Sequence, residues 1–346
     1  MNPDHDGQAH AALVPTASPS ATSELVRPGD IDINDQVSLA TATLIASAPA
    51  AATRRAYDRQ WRLFAAWCAE QGRRAAPATD ATLAEYAAAL VSAGAGAASI
   101  EQAIATIRTI HRQRKLTVPD TRGARDVLRA HRRAQSDTGR RARKAPPAAR
   151  DQLRAMVAAC PEGPLGIRDR ALLVLGVAMM GRRSELAGLD LSDVDEVDEG
   201  LLVYVRRSKT DQDAVGAEVA IPYGSHPDTC PVRAVRAWRA LLTERGITDG
   251  PLLRAVDRAG RISPRRMSGD GINRIVRAAA LRAGLPGADR YTAHSLRAGG
   301  ATAAAKAGAQ TAAIAEQGRW SLGSPVVHGY VRAVDRWGDN PMNGAL

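Results

Sequence analysis

Apolar residues recur at helical spacing over much of the chain, and that period sets its character. From Thr53 onward Tyr57, Trp61, Phe64, Ala65 and Cys68 share one stripe, with Thr53 as N-cap and Gly72 as the closing residue. A second helix is predicted from about Thr79, burying Leu83, Tyr86, Ala87 and Leu90 before Gly94 and Gly96 stop it. The third starts near Ser99 and carries Ile100, Ile104, Ile107 and His111 on one face. A fourth runs from about Thr121 to Ala134, with Val127 and Leu128 inward. The basic segment SDTGRRARKAPPAAR, Ser136 to Arg150, then breaks at Pro146 and Pro147 and reads as a linker between domains.

Beyond the linker, helices are predicted around Arg150 to Ala159 and Ile167 to Met179. GLLVYVRR (Gly200 to Arg207) and AEVAIPY (Ala217 to Tyr223) read as the two strands of a hairpin whose polar loop holds Lys209. Helices follow at Pro231 to Glu244 and Ile272 to Ala283, with a short strand pair near Leu252 and Ile262 between them. The last helices are those of His294, of Gln310 to Gln317 and of Pro325 to Val331. The fold class is therefore mainly α with a small antiparallel β-sheet. Its predicted divisions are a helical domain over 49–136, a basic linker over 137–148 and a second domain over 149–335, with 336–346 as a tail. Residues 1–48, rich in Ala, Ser, Thr, Pro and Asp without lasting periodicity, are predicted to be mostly disordered.

Charge adds a partner to this picture. The 346 residues carry a formal net charge of +11. In residues 1–48 six acidic residues face Arg27 alone, a net −5, so the remainder is +16. A body so basic suits a polyanion, nucleic acid or an anionic membrane surface. The candidate contacts to a phosphate backbone are Arg108, Arg112, Arg125, Arg129, Arg132 and Arg133 on the helices and Arg140, Arg141, Arg143 and Lys144 in the linker. The competing reading of any one of these is a solvated surface charge. No stretch is long and apolar enough to cross a bilayer, and the N-terminus lacks the pattern of a signal peptide, so a cytoplasmic protein is expected. Cys68, Cys160 and Cys230 match neither a disulfide framework nor a zinc spacing.

The candidate chemistry lies in the second domain. Gly181 to Leu186 reads GRRSEL, and the three-residue step predicts Arg182 and Glu185 on one helical face, where the carboxylate can hold the guanidinium, although such a pair is commonly an ordinary surface ion pair. Arg183 is the lesser candidate. In YTAHSLRAGGATAAAKAG, Tyr291 to Gly308, His294 and Arg297 fall on one helical face, an imidazole beside a guanidinium that suits a phosphate. SKT (Ser208 to Thr210), GRW (Gly318 to Trp320) and GYVR (Gly329 to Arg332) complete an ordered set. Of the other tyrosines, Tyr57 and Tyr86 read as core, Tyr204 and Tyr223 as strand residues, and Tyr291 precedes the histidine. His111 and His131 read as structural groups or phosphate contacts, His226 and His328 as exposed.

That set, Arg, Glu, Lys, His-x-x-Arg, Trp, Tyr, resembles the tyrosine recombinase family, the phage integrases, over about residues 50 to 335. TRRAYDRQWRLFAAWC is similar to the first helix of the family's SAM-like core-binding domain. The tryptophan, where many members have histidine, with GYVR around the tyrosine, resembles Cre-type members. The resemblance implies a two-domain C-shaped clamp on double-stranded DNA, with Arg182 and Arg297 on the scissile phosphate and Glu185 supporting Arg182. It further implies Lys209 as the hairpin lysine, His294 and Trp320 as the second and third boxes, and Tyr330 as the nucleophile. The implied activity is site-specific recombination through a 3′-phosphotyrosyl link and a Holliday junction, with no cofactor and no metal. A homotetramer would act on two inverted-repeat sites, with the segment past the tyrosine, through Trp337, Met342 and Leu346, hooking a neighbouring subunit. A type IB topoisomerase or telomere-resolving enzyme would share this chemistry, and single-turnover relaxation by a monomer would mark it. A DNA-binding protein without catalysis is the other alternative.

The chemistry accounts for these residue types in its own terms. A pentacoordinate phosphorus spreads negative charge over its non-bridging oxygens, and two planar, permanently charged forks can meet that charge bidentately. A tyrosine with a pKa of about 10 is a poor nucleophile and needs a base or a positive field, which His294 and the arginines can supply. The departing 5′ oxygen needs a proton, which Lys209 could deliver, and Trp320 offers an indole donor and a flat wall for the phosphate.

Overall fold

The computed structural model describes residues 13–15, 36–47, 51–138, 145–206 and 216–335, together with 342 and 345. The chain forms two compact units, Met1–Ala142 and Arg143–Leu346.

In the first unit, strands β1 (Leu13–Pro15) and β2 (Gln36–Ser38) pair antiparallel, and helix α1 (Leu39–Ser47) follows directly. The expectation of a mostly disordered tail is corrected for residues 36–47. Composition averaged over the whole tail hides the run LATATLIAS, free of Gly and Pro, whose start the Ser38 hydroxyl caps by accepting the Thr41 amide at 3.1 Å. Helices α2 (Ala51–Glu70), α3 (Asp80–Ser92), α4 (Ala97–Gln113) and α5 (Arg122–Asp137) complete the unit. Thr53 is not the N-cap of α2, because the strong helix formers Ala51 and Ala52 carry the helix past it. Thr79 does cap α3, its hydroxyl accepting the Thr82 amide at 3.1 Å. The core forms around Phe64, Leu83, Ile100 and Ile107, all fully buried, with Tyr86 edge-on to Phe64 at 5.0 Å. His111 is buried with them, and its two nitrogens are committed to backbone: Nδ1 lies 2.8 Å from the Ile107 carbonyl and Nε2 accepts the Ala78 amide at 2.9 Å. It is a structural histidine, and Tyr57 is half-buried at the margin of the core.

In the second unit, α6 (Arg150–Ala158) and α7 (Gly163–Ala178) open the fold. Helix α7 begins at Gly163, ahead of the predicted Ile167, because Pro164 in its first turn starts the helix. A six-residue helix α8 (Arg183–Gly188) leads into an antiparallel sheet of order β3 (Val194–Val197), β4 (Gly200–Val205) and β5 (Ala217–Pro222). The hairpin was legible, whereas β3, VDEV, carries too little apolar pattern to announce itself. Then come α9 (Pro231–Glu244), the strand pair β6 (Arg254–Val256) and β7 (Ile262–Arg266), α10 (Gly269–Arg282), α11 (Ala293–Lys306), α12 (Thr311–Gly318) and α13 (Pro325–Asp335). The main core gathers Met156, Leu172, Leu173, Leu175, Leu186, Trp238 and Leu296, all fully buried. A smaller cluster of Met180, Ala301, Ile314, Ala315 and Val327 joins α11, α12 and α13.

Two glycines explain the small-residue run in α11. A Cβ on Gly300 would stand 2.3 Å from the Val177 carbonyl, and one on Gly299 would stand 2.1 Å from that of Ala148. The helix lies against backbone on both sides, and the Ala148 amide donates to the Ser295 carbonyl at 2.8 Å. This close packing fixes the helix that carries His294 and Arg297.

Candidate active site

Where the chain leaves α7, Met180 adopts a left-handed conformation with φ +46°, and Arg182 follows in extended geometry as the N-cap of α8. Arg182 and Glu185 therefore do not share a helical face as the sequence suggested. Glu185 sits at the third helical position and reaches back, its Oε2 accepting the Arg182 amide at 2.8 Å and its Oε1 accepting Arg182 Nη1 at 2.6 Å. Arg183 points elsewhere and pairs with exposed Asp270 at 3.0 Å. The Glu185 carboxylate is fully buried. Burial would raise its pKa, but Arg319 and the hydrogen bonds from Arg182 outweigh that and hold it below the usual value.

Helix α11 is capped by Thr292, whose hydroxyl accepts the His294 amide at 3.2 Å. Its first turns present His294 at the solvent edge and Arg297 inward, 4% exposed. Arg297 Nη1 donates to the Met180 carbonyl, and its Cζ lies 3.8 Å from the Trp320 ring centroid. Arg297 Nη2 has no partner among the described residues. Burial first, and repulsion from Arg182 second, push the Arg297 pKa down to about 9, so the group is cationic at neutral pH but short of counter-charge. A phosphate would supply both the missing acceptor and the missing charge. The flat wall of Trp320, expected to hold the phosphate, faces the guanidinium and holds it by cation–π contact.

Trp320 is placed by a tight turn. A Cβ on Gly318 would stand 1.9 Å from Trp320 Cζ3, so the indole folds down onto the end of α12 only over glycine. After the turn at Ser321–Ser324, closed by a 2.9 Å backbone hydrogen bond, α13 brings Tyr330 back over the site. Its ring centroid is 5.8 Å from that of Trp320, and its hydroxyl is 3.2 Å from His294 Nε2. Desolvation, then Arg297, lowers the His294 pKa, so the imidazole stays neutral at pH 7 and can accept the phenol proton. Desolvation raises the Tyr330 pKa while Arg297 opposes it. The tyrosine needs that base.

The structure thus gathers Arg182, Glu185, His294, Arg297, Trp320 and Tyr330 from four separate stretches of sequence. Lys209, Arg140, Arg141, Arg143 and Lys144 lie outside the described residues, as do Trp337 and Leu346. In the first unit, Arg112, Arg125, Arg129, Arg132 and Arg133 are exposed and Arg108 is half-buried. Arg129 pairs with Asp126 at 3.0 Å and Arg132 with Glu101 at 2.9 Å, exposed pairs that water and phosphate can displace. His226 is exposed beside Arg150 at 3.1 Å, whereas His328 is half-buried. All three cysteines are buried and free, and the described residues hold no cluster of metal-ligating side chains and no helix able to cross a membrane. A cavity of about 770 Å³ beside Arg154, Arg170 and Arg233 shares no residue with this site. Sequence reasoning missed Arg319. It stands in the GRW motif, and nothing in its spacing pointed to Glu185.

Residues 148–336 match the phage integrase family and residues 42–115 match its N-terminal SAM-like domain, so the chain belongs to the phage integrase family, the tyrosine recombinases. An integrase/recombinase XerD homolog of Selenomonas ruminantium is 28% identical over 323 residues, covering 92% of each chain. The recombinase Cre of Escherichia phage P1 is 26% identical over 79% of this chain and 82% of that protein. Two solved structures share the fold. A lambda integrase (75–356) dimer bound to a COC′ core site matches 84% of this chain and 92% of its own at a TM-score of 0.55 and 17% identity. The Tn1549 transposon integrase in complex with transposon right end DNA matches the same shares at 0.54 and 16%.

Proposed function

We propose that the protein is a site-specific DNA recombinase in which Tyr330 cuts a strand and stores the phosphodiester as a 3′-phosphotyrosyl bond. The observation that carries the assignment of roles is the 3.2 Å approach of the Tyr330 hydroxyl to His294 Nε2, on the same helix that carries the half-satisfied Arg297. Arg182 and Arg297 clamp the scissile phosphate, and Glu185 fixes Arg182. The Tyr330 Oη–P bond forms as the P–O5′ bond breaks. The phenol proton passes to His294 Nε2 and the leaving O5′ takes one from Lys209. Rejoining reverses the step with a 5′ hydroxyl from another strand. The bond count is unchanged, so no nucleotide is consumed, and no metal or cofactor has a part in it.

Around this step, the exposed arginines of the first unit and the basic linker would track the duplex backbone, making binding salt-dependent. As in the family, four copies would hold two inverted-repeat sites and pass through a Holliday junction, in the cytoplasm of a bacterial cell.

The test is a supercoiled plasmid carrying the DNA that flanks the native gene, incubated with wild-type protein or Tyr330→Phe in EDTA and quenched in SDS. A protease-sensitive covalent adduct from the wild type alone is expected. Specific binding to that DNA without an adduct would replace this reading with that of a DNA-binding protein lacking catalysis.

A further inference from the structure

Helix α12 ends in a Schellman turn: the Trp320 amide donates to the Ala315 carbonyl at 2.8 Å and the Arg319 amide to that of Glu316 at 2.9 Å. The residue after the helix must then be left-handed, and glycine takes that place without strain. Here it is Arg319, at φ 55° and ψ 48°. A residue with a Cβ held in this conformation is strained, and such strain persists where something else over-determines it.

The side chain shows what does. Arg319 is 9% exposed, and its Nη2 donates to Glu185 Oε2 at 2.7 Å. Its Nη1 donates to the Gln317 carbonyl at 2.8 Å, and both terminal nitrogens lie 3.2 Å from the Met179 carbonyl. Its own carbonyl accepts Arg182 Nη2 at 3.0 Å. One residue thus grips both halves of the Arg182–Glu185 pair, the carboxylate with its guanidinium and the arginine with its backbone.

We infer that Arg319 is a positioning residue for strand cleavage, holding the Arg182–Glu185 pair in place and leaving the site with an excess of positive charge. The inference rests on the functional reading above. Arg182 and Glu185 alone cancel, and Arg319 restores one positive charge, so with Arg297 the described site carries three guanidinium groups against one carboxylate. The bound diester carries one negative charge, and the phosphorane formed by phenolate attack carries two. A net charge of two therefore favours the transition state over the ground state, which accelerates chemistry more than it tightens binding. Arg319 is also the strongest of the influences that keep buried Glu185 ionised.

The experiment compares wild type, Arg319→Gly, Arg319→Lys, Glu185→Gln and the Arg319→Gly/Glu185→Gln double variant on the duplex mapped by the Tyr330 adduct. Glycine removes the guanidinium while relieving the left-handed strain, so misfolding is not the default result; thermal unfolding of each variant checks this. In Arg319→Gly the single-turnover rate of adduct formation is expected to fall by about 10- to 100-fold, with the duplex Kd held within about threefold. Lysine should recover part of the rate, and in Arg319→Gly a further loss at acid pH, from Glu185 protonating more readily, should add to the limb set by His294. In the Glu185→Gln background the glycine change should add less than about threefold, because both act through one carboxylate. An adduct rate equal to wild type, full additivity with Glu185→Gln, or a parallel loss of rate, binding and thermal stability would overturn the role of Arg319. Bound duplex without any adduct from the wild type would instead overturn the reading beneath it.

Discussion

Gly300→Ala tests whether the close packing of α11 sets the geometry of the site. The new Cβ would stand 2.3 Å from the Val177 carbonyl oxygen and 2.8 Å from Met180 Cγ. The methionine side chain can swing away, but the carbonyl is backbone and already accepts the Met180 amide at 3.1 Å. Relief to an ordinary contact requires a displacement of roughly 1 Å between α11 and the end of α7, a misplacement large enough to cost on the order of 100-fold in rate. Overpacking of this kind destabilises by about 1–3 kcal/mol. At roughly 2–4 °C per kcal/mol for a unit of this size, thermal unfolding should shift down by about 2–12 °C. The displacement also moves the Met180 carbonyl that holds Arg297, so the rate loss should exceed what stability alone accounts for. The assay pairs a thermal melt of the full chain with single-turnover adduct formation at a temperature where the variant is folded. Gly188→Ala is the control, since its Cβ would meet open space. A Gly300→Ala protein with wild-type melting and wild-type rate would refute the claim that backbone contact at Val177 positions the site.

Two further outcomes are expected. The His294 pKa lies below its ordinary value of 6.5, by desolvation first and Arg297 second, so the imidazole takes up a proton only at lower pH. Adduct formation should therefore fall to half its plateau rate at a pH below 6.5, and an acid limb centred above 6.5 would contradict His294 as the base. His111→Ala strands the Ala78 amide in the first core, which should cost about 1–3 kcal/mol in urea unfolding while leaving the chemistry of the second unit untouched; an unchanged midpoint would show that water or a relaxed backbone replaces the imidazole.

Much of the fold was legible because its helices are long and one-sided. Helix α9 runs over the very residues that its apolar spacing indicates, and Thr79 and the Ile100, Ile104, Ile107 stripe behave likewise. What escaped detection was short or set by tertiary contact. Helix α8 has only six residues, less than two turns of pattern, so Arg182 was taken as helical when it is a cap. Helix α1 was lost in the average composition of an otherwise Pro- and Asp-bearing tail. The site residues were readable as an ordered set, but their mutual roles were not. Whether an indole faces a phosphate or a guanidinium depends on the turn at Gly318, and Arg319 acquires its meaning from a buried carboxylate far away in sequence.

The small cluster of Met180, Ala301, Ile314, Ala315 and Val327 has a dynamic consequence. Tyr330 rides on a helix whose fully buried anchor is Val327, in a patch separate from the main core that supports Glu185 and the start of α11. Regions with few buried contacts open at lower free energy than the global fold. The helix that carries Tyr330 is therefore expected to loosen at lower free energy than the main core, so the proposed nucleophile can be repositioned without unfolding of the layers beneath it.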